Sequence, residues 1–175
     1  MNLSINLNDF SLINTCFLDT KENIIMDGNF TKIIYSSESF TINGIYINLF
    51  FDSMTIDKIM NKQYLQFNPY SSNNQKIIKE LSFIENKILE YYKNYYCNNS
   101  KISNLLEKQL YSGNIKIFKE YTEHKYVINK SHSILENNNK RYILKISGVW
   151  ENYNEIGLTY KLLDQGQGQG TYGSP

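Results

Sequence analysis

From Arg141 to Leu163 the chain reads RYILKISGVWENYNEIGLTYKLL, two runs of alternating apolar and polar residues joined by a polar turn. Tyr142, Leu144, Ile146 and Trp150 recur at even spacing in the first run, and Ile156, Leu158, Tyr160 and Leu162 in the second. The stretch is therefore predicted to be a β-hairpin with one apolar face on each strand. The opposite faces carry Lys145 and Ser147 on one strand and Thr159 and Lys161 on the other, a basic, hydroxylated ladder able to meet a polyanion. Phe30 to Ser36 and Asn43 to Phe51 are further β-rich runs, the second opened by an Asn43-Gly44 turn signal. There Ile45, Ile47, Leu49 and Phe51 share one face and Tyr46, Asn48 and Phe50 the other. Tyr46 and Phe50 either pack under another element or stand exposed as stacking rings.

The period changes after the loop Asn68 to Asn73. Ile77, Leu81, Ile84, Ile88, Tyr91 or Tyr92, and Tyr95 recur at three- and four-residue steps, which predicts a long helix from about Asn73 to Tyr96. Lys101 to Leu110 reads as a second, shorter helix ending near Gly113. Strands resume at Asn114 to Tyr121, where Lys116 and Phe118 share a face opposite Ile115 and Ile117, and at Lys125 to Lys130. Strands, helices and strands again, with no repeated β-α alternation, predict a β-rich α+β chain. The expected architecture is one OB-like antiparallel β-barrel over residues 1–164, with a helical insertion at about 73–110. The tail Gln165 to Pro175, QGQGQGTYGSP, has no charge and no apolar pattern, and is expected to be disordered.

Composition narrows the function without naming it. With 175 residues, 41% of them apolar, the chain can bury one core. It has no Ala, one Arg (Arg141) and 15 Tyr, a bias that follows AT-rich codons. The net charge of +1 conceals an asymmetry: residues 1–52 carry −4, residues 53–175 carry +5, and Asn114 to Lys145 holds seven basic residues against three acids. Cys16 and Cys97 are too few for a disulfide framework or a thiolate metal site, and no apolar run is long enough to span a bilayer. Met1 to Leu7 lacks the basic-then-apolar order of a leader; the expectation is an intracellular protein not bound to membrane. No phosphate loop, dinucleotide fingerprint, metal-ligand spacing or nucleophile elbow appears, and His124 and His132 read as surface imidazoles. A catalytic reading, with a cofactor or without one, has least to hold.

The segments Phe30 to Leu49 and Tyr142 to Leu163, with NPYSSNNQKIIKELSFIENKILEYY between them, resemble the single-stranded-DNA-binding proteins of large nucleo-cytoplasmic DNA viruses, which are similar in turn to phage replication proteins with an OB-fold. The most specific piece is the ending strand-Gly-x-Trp, polar turn, Gly-Leu-Thr-Tyr-Lys. The resemblance implies an OB barrel with an inserted helix, no cofactor, and single-stranded DNA held by strand-borne basic and aromatic residues during viral replication or repair, in the host cytoplasm or viral factory. It also implies replication proteins as partners. The acidic tail by which the phage proteins recruit them has no counterpart in Gln165 to Pro175.

Lys and aromatic residues alternating on strands are what a single-stranded site needs, the ammonium groups following phosphates and the rings taking stacked bases. The candidate nucleic-acid-binding residues are Tyr46, Phe50, Lys116, Phe118, Lys145, Trp150, Thr159 and Lys161. Phe118 has a core reading and Lys116 a solvation reading beside these. Trp150, in parity with Leu144 and Ile146, is expected on the buried face as an anchor, with base stacking as the other reading. The competing function is a virion structural or protein-interaction module that docks through the same barrel, since interfaces favour Tyr and need no phosphate track.

Overall fold

The computed structural model describes residues 3–119 and 141–164. The expected strand at 125–130, both His and the tail from 165 lie outside the described residues. After two short 3₁₀ turns come β1 (Thr15–Glu22), β2 (Asn29–Ser36), β3 (Thr41–Ile42), β4 (Ile45–Leu49), β5 (Thr55–Ile59) and β6 (Lys62–Gln66). Helix α1 (Ser72–Tyr96), β7 (Lys101–Ile102) and α2 (Leu105–Tyr111) follow, then β8 (Asn114–Lys119), β9 (Tyr142–Glu151) and β10 (Glu155–Asp164).

The ten strands of the described residues belong to one sheet, in the order β1-β2-β9-β10-β8-β6-β5, with β3 on β2, β4 on β9 and β7 on β10. The expected antiparallel barrel is met only in part. The sheet does not close, because the antiparallel β5–β6 hairpin extends it outward from β8 instead of returning to β1. It is also mixed. The chain leaves α2 at Gly113 and enters β8 running the same way as β10, so those two strands pair in parallel, as do β7 and β10.

Strand β9 organises the rest. It pairs with β10 along its length, with β4 over its first half and with β2 over its second. Where it changes neighbour the register slips: Ile146 lies opposite Tyr160 but Gly148 lies opposite Thr159, leaving Ser147 as an extra, bulged residue.

One face of the sheet is covered by α1, whose Ile78, Leu81, Ile84, Ile88, Leu89 and Tyr92 meet Ile33, Ile45, Ile47, Leu144, Ile146, Val149 and Leu162 in a single core cluster. These helix positions follow the three- and four-residue steps of a buried stripe. The start of α1 is tied down by Asn74, fully buried, which accepts the Asp52 N–H at 2.7 Å and donates to the carbonyls of Asp52 and Asn68. It ends at Cys97, in the left-handed conformation (φ 51°).

The second helix is shorter than the sequence predicts. Lys101 and Ile102 pair with β10 instead, and the helix begins at Leu105, where the buried Glu85 carboxylate accepts the N–H groups of Leu106 (3.0 Å) and Glu107 (2.8 Å). A carboxylate on the free amides of a first turn favours starting the helix there.

Candidate nucleic-acid interface

The face of the sheet turned away from α1 is read from register, because residues directly opposite one another point the same way. Tyr46, Lys145 and Lys161 form one row across β4, β9 and β10. Lys32, Gly148 and Thr159 form the next, across β2, β9 and β10. Lys21, Phe30, Trp150 and Gly157 form a third, which reaches β1. On the other flank Phe118 lies beside Leu163, and Lys116 lies opposite Tyr64 of β6. Alternating positions of β10 (Gly157, Thr159, Lys161, Leu163) tie the rows into one surface. Ile143 and Leu163 face the same way but are buried, so the open part of the face runs from Phe118 and Lys161 towards Trp150.

Seven of the eight residues singled out from the sequence, all but Phe50, lie on this face, and five of them are joined by ring contacts. Lys145 Nζ sits 4.9 Å from the centroid of the Tyr46 ring. The Phe118 ring gathers two ammonium groups, Lys116 at 4.5 Å and Lys161 at 5.3 Å. Such cation-ring contacts hold a lysine in place while leaving its charge uncompensated. None of these three lysines is in an ion pair with a carboxylate among the described residues; the pair found there is Lys87 with Glu90 at 3.8 Å, on the exposed surface of α1. Thr159 is half-buried beside Gly148. The Ile115 and Ile117 face of β8 is core, at 2% and 5% exposure, so the face carrying Lys116 and Phe118 is the outer one.

Trp150 overturns its sequence expectation. The bulge at Ser147 reverses the alternation of β9, so Val149 takes the core position and Trp150 turns to the outer face, opposite to Leu144 and Ile146. Its ring lies across Gly157: a Cβ built there would fall 2.5, 2.7 and 2.8 Å from Cζ2, Cε2 and Nε1. Phe30 lies in the same way over Gly148, where a Cβ would meet its Cζ at 2.5 Å. A ring lying flat on a glycine of the neighbouring strand keeps its other face for something else.

Phe50 does not join this surface. It lies just beyond β4, 57% exposed, in a separate groove of about 310 Å³ lined also by Asn48, Lys76, Ile77 and Glu80. Conversely, Lys21, Phe30, Lys32 and Tyr64 belong to the face and were missed from the sequence. The signal for two of them was present, since Phe30 and Lys32 alternate with the buried Thr31 and Ile33. The acids that register places on this face, Asp57 and Glu155, stand at its margins, and Asp57 accepts a hydrogen bond from Gln66 Nε2 at 3.2 Å.

The ionisable groups that burial displaces lie on the core side. Desolvation pushes the Glu85 carboxyl up, against the two backbone amides that it accepts. Desolvation likewise pushes the Tyr142 and Tyr160 hydroxyls up to about 12, helped by the charges of Asp164 and Glu85 respectively. Tyr92 is raised by desolvation too; its hydroxyl lies 3.1 Å from Thr31 Oγ1 and donates to Glu151 Oε2 at 3.0 Å. These are links between α1, α2 and the sheet. Among the described residues no group of three or more His, Cys, Asp or Glu is placed to hold a metal ion, and no helix is long and apolar enough to cross a membrane. Compared with protein-family models, curated proteins and solved structures, the chain matches none.

Proposed function

We propose that this protein binds single-stranded DNA without catalysing a reaction, and that the outer face of the sheet is the binding surface. The observation that carries the proposal is the register, which sets Lys21, Lys32, Lys116, Lys145 and Lys161 among Phe30, Tyr46, Tyr64, Phe118 and Trp150 on one face. An unpaired strand offers both phosphates and bare base faces, so it can use ammonium groups and rings together, whereas a duplex hides its bases. Among the described residues the lysines held on rings have no carboxylate to release before they meet a phosphate. Trp150 and Phe30 supply flat platforms, each stacked base being worth roughly 1–3 kcal/mol. An open, curved sheet under one long helix is compatible with an OB-like arrangement, itself a partly open barrel, and a place in viral DNA replication or repair is the setting that the sequence resemblance suggests.

A protein-docking role has its own supporting observation: Ile24 and Ile25, in the β1–β2 connection, are 100% and 95% exposed. Fluorescence anisotropy with labelled oligo-dT and with a duplex of equal length, repeated over a range of salt, separates the two readings. Single-strand preference is expected, with log affinity falling against log salt by roughly 0.7 per phosphate neutralised. Equal or absent binding of both probes would leave the docking reading standing and refute the DNA reading.

A further inference from the structure

At the β6–β8 end of the interface lies an open groove of about 460 Å³, bounded by Lys58, Met60, Lys62, Lys116 and Phe118. Its size is that of a small-ligand site, and among the described residues no carboxylate lines it. Two of its lysines come from the β5–β6 hairpin, one on each side of the two-residue turn Met60-Asn61, and the third comes from β8. The turn is unusual. Met60 takes a left-handed backbone (φ 54°), which an unbranched L residue adopts only at a cost, and its side chain is 96% exposed. Strain of this kind at an exposed lip is a reason to ask what the lip serves.

We propose that this groove receives the phosphorylated end of the bound strand, the terminal phosphate lying among Lys58, Lys62 and Lys116 and the end nucleoside against Phe118 and Met60. Three lysines line the groove, Lys62 and Lys116 from the outer face and Lys58 from the other side of the hairpin, and so much positive charge matches a phosphate monoester, which carries close to two charges at neutral pH, better than the single charge of an internal phosphodiester. The ring and the thioether chain supply the apolar contact that a nucleoside needs, and a phosphate alone would not. The groove is continuous with the DNA face through Phe118, over which Lys161 also sits. The inference rests on the proposed function, with which it shares Lys116 and Phe118; Lys58 and Lys62 are outside the face residues invoked there.

The test uses the full chain and internally labelled oligo-dT in three forms, carrying a 5′-phosphate, a 3′-phosphate or neither, at one fixed salt concentration. One of the phosphorylated forms is expected to bind about tenfold more tightly than the unphosphorylated one. In K58A/K62A that gain should vanish, while the unphosphorylated oligonucleotide should bind within about twofold of the parent protein. Equal affinity for all three forms, or a gain that survives in the double variant, overturns the end-binding proposal and leaves the outer face untouched. Failure of every oligonucleotide to bind overturns both readings. Both substituted lysines are exposed on a hairpin, and circular dichroism of the variant checks that it has folded.

Discussion

Replacing Gly157 by Ala adds one methyl group beneath the Trp150 ring, and the geometry says what must follow. The new carbon would lie 2.5 Å from Cζ2, so the ring has to retreat by about 0.9 Å to reach an ordinary 3.4 Å contact. Gly157 has no left-handed φ, so its backbone accepts the substitution, and the half-buried ring has room to lift outwards. Overpacking of a well-packed site costs roughly 1–3 kcal/mol; here the open outer face should keep the loss near the lower end. A lifted, tilted indole no longer offers a flat platform, and the loss of one stacked base weakens single-strand binding by roughly 1–3 kcal/mol. The chain has one Trp, so its emission reports on this ring alone. G157A should shift the emission of the free protein, reduce the quenching produced by oligo-dT and weaken binding, while the salt slope stays that of the parent. Unchanged emission and affinity in a folded variant would refute the flat-ring geometry and, with it, the stacking role of Trp150.

Lys145→Ala and Lys161→Ala should each weaken binding to every single-strand sequence and lower the salt slope by about 0.7, measured by anisotropy titration over salt. Phe118→Ala should lower the slope as well, because Lys116 and Lys161 both lose the ring that holds them; a slope equal to the parent's would make Phe118 a stacking ring only. Leu81, fully buried between α1 and the sheet, should cost roughly 2–5 kcal/mol as Leu81→Ala in a denaturant titration, and a negligible midpoint shift would place that helix face in solvent. Tyr142 and Tyr160 are held up to about 12 in the folded chain against about 10 when unfolded. Between those values the unfolded chain releases protons first, so stability is fully present below pH 10 and falls as the pH rises through 12. Absorbance near 295 nm should show late-titrating tyrosines, these two and Tyr92 among them, and the set should lose one member in Tyr160→Phe.

The long helix and the two faces of β4 and β8 were legible because each is a local periodicity: Leu81, Ile84, Ile88 and Ile45, Ile47, Leu49 sit where their spacing puts them, although Ile78 takes the core position at the start of the helix that the spacing gave to Ile77. Strand β1, with exposed Asp19, Thr20 and Lys21 on an outer strand, and the polar hairpin β5–β6 have too weak an alternation to be read as strands. The start of α2 was misplaced because its limit is set by Glu85, twenty residues earlier in the chain and adjacent only after folding. Failure of the sheet to close is likewise a matter of which strand β8 joins. The candidate site was half legible. Lys145, Lys161, Thr159, Tyr46, Lys116 and Phe118 were found by parity, Phe50 lies just past its strand, and the contribution of β1, β2 and β6 depends on pairings between distant segments.

The bulge at Ser147 makes pairing register, not side-chain identity, the variable that decides which way the end of β9 faces. Ser147 is the residue that the ladder skips, so deleting it should leave Val149 in the core and Trp150 on the outer face, whereas ironing out the bulge with Ser147 retained would send Trp150 towards α1 and turn Val149 out to solvent. Glu151, which now accepts from Tyr92 and Asn98, would be carried away from both partners in the same step. A lineage could thus carry one extra codon in this strand without losing the platform, because the bulge absorbs the added length before it reaches the ring.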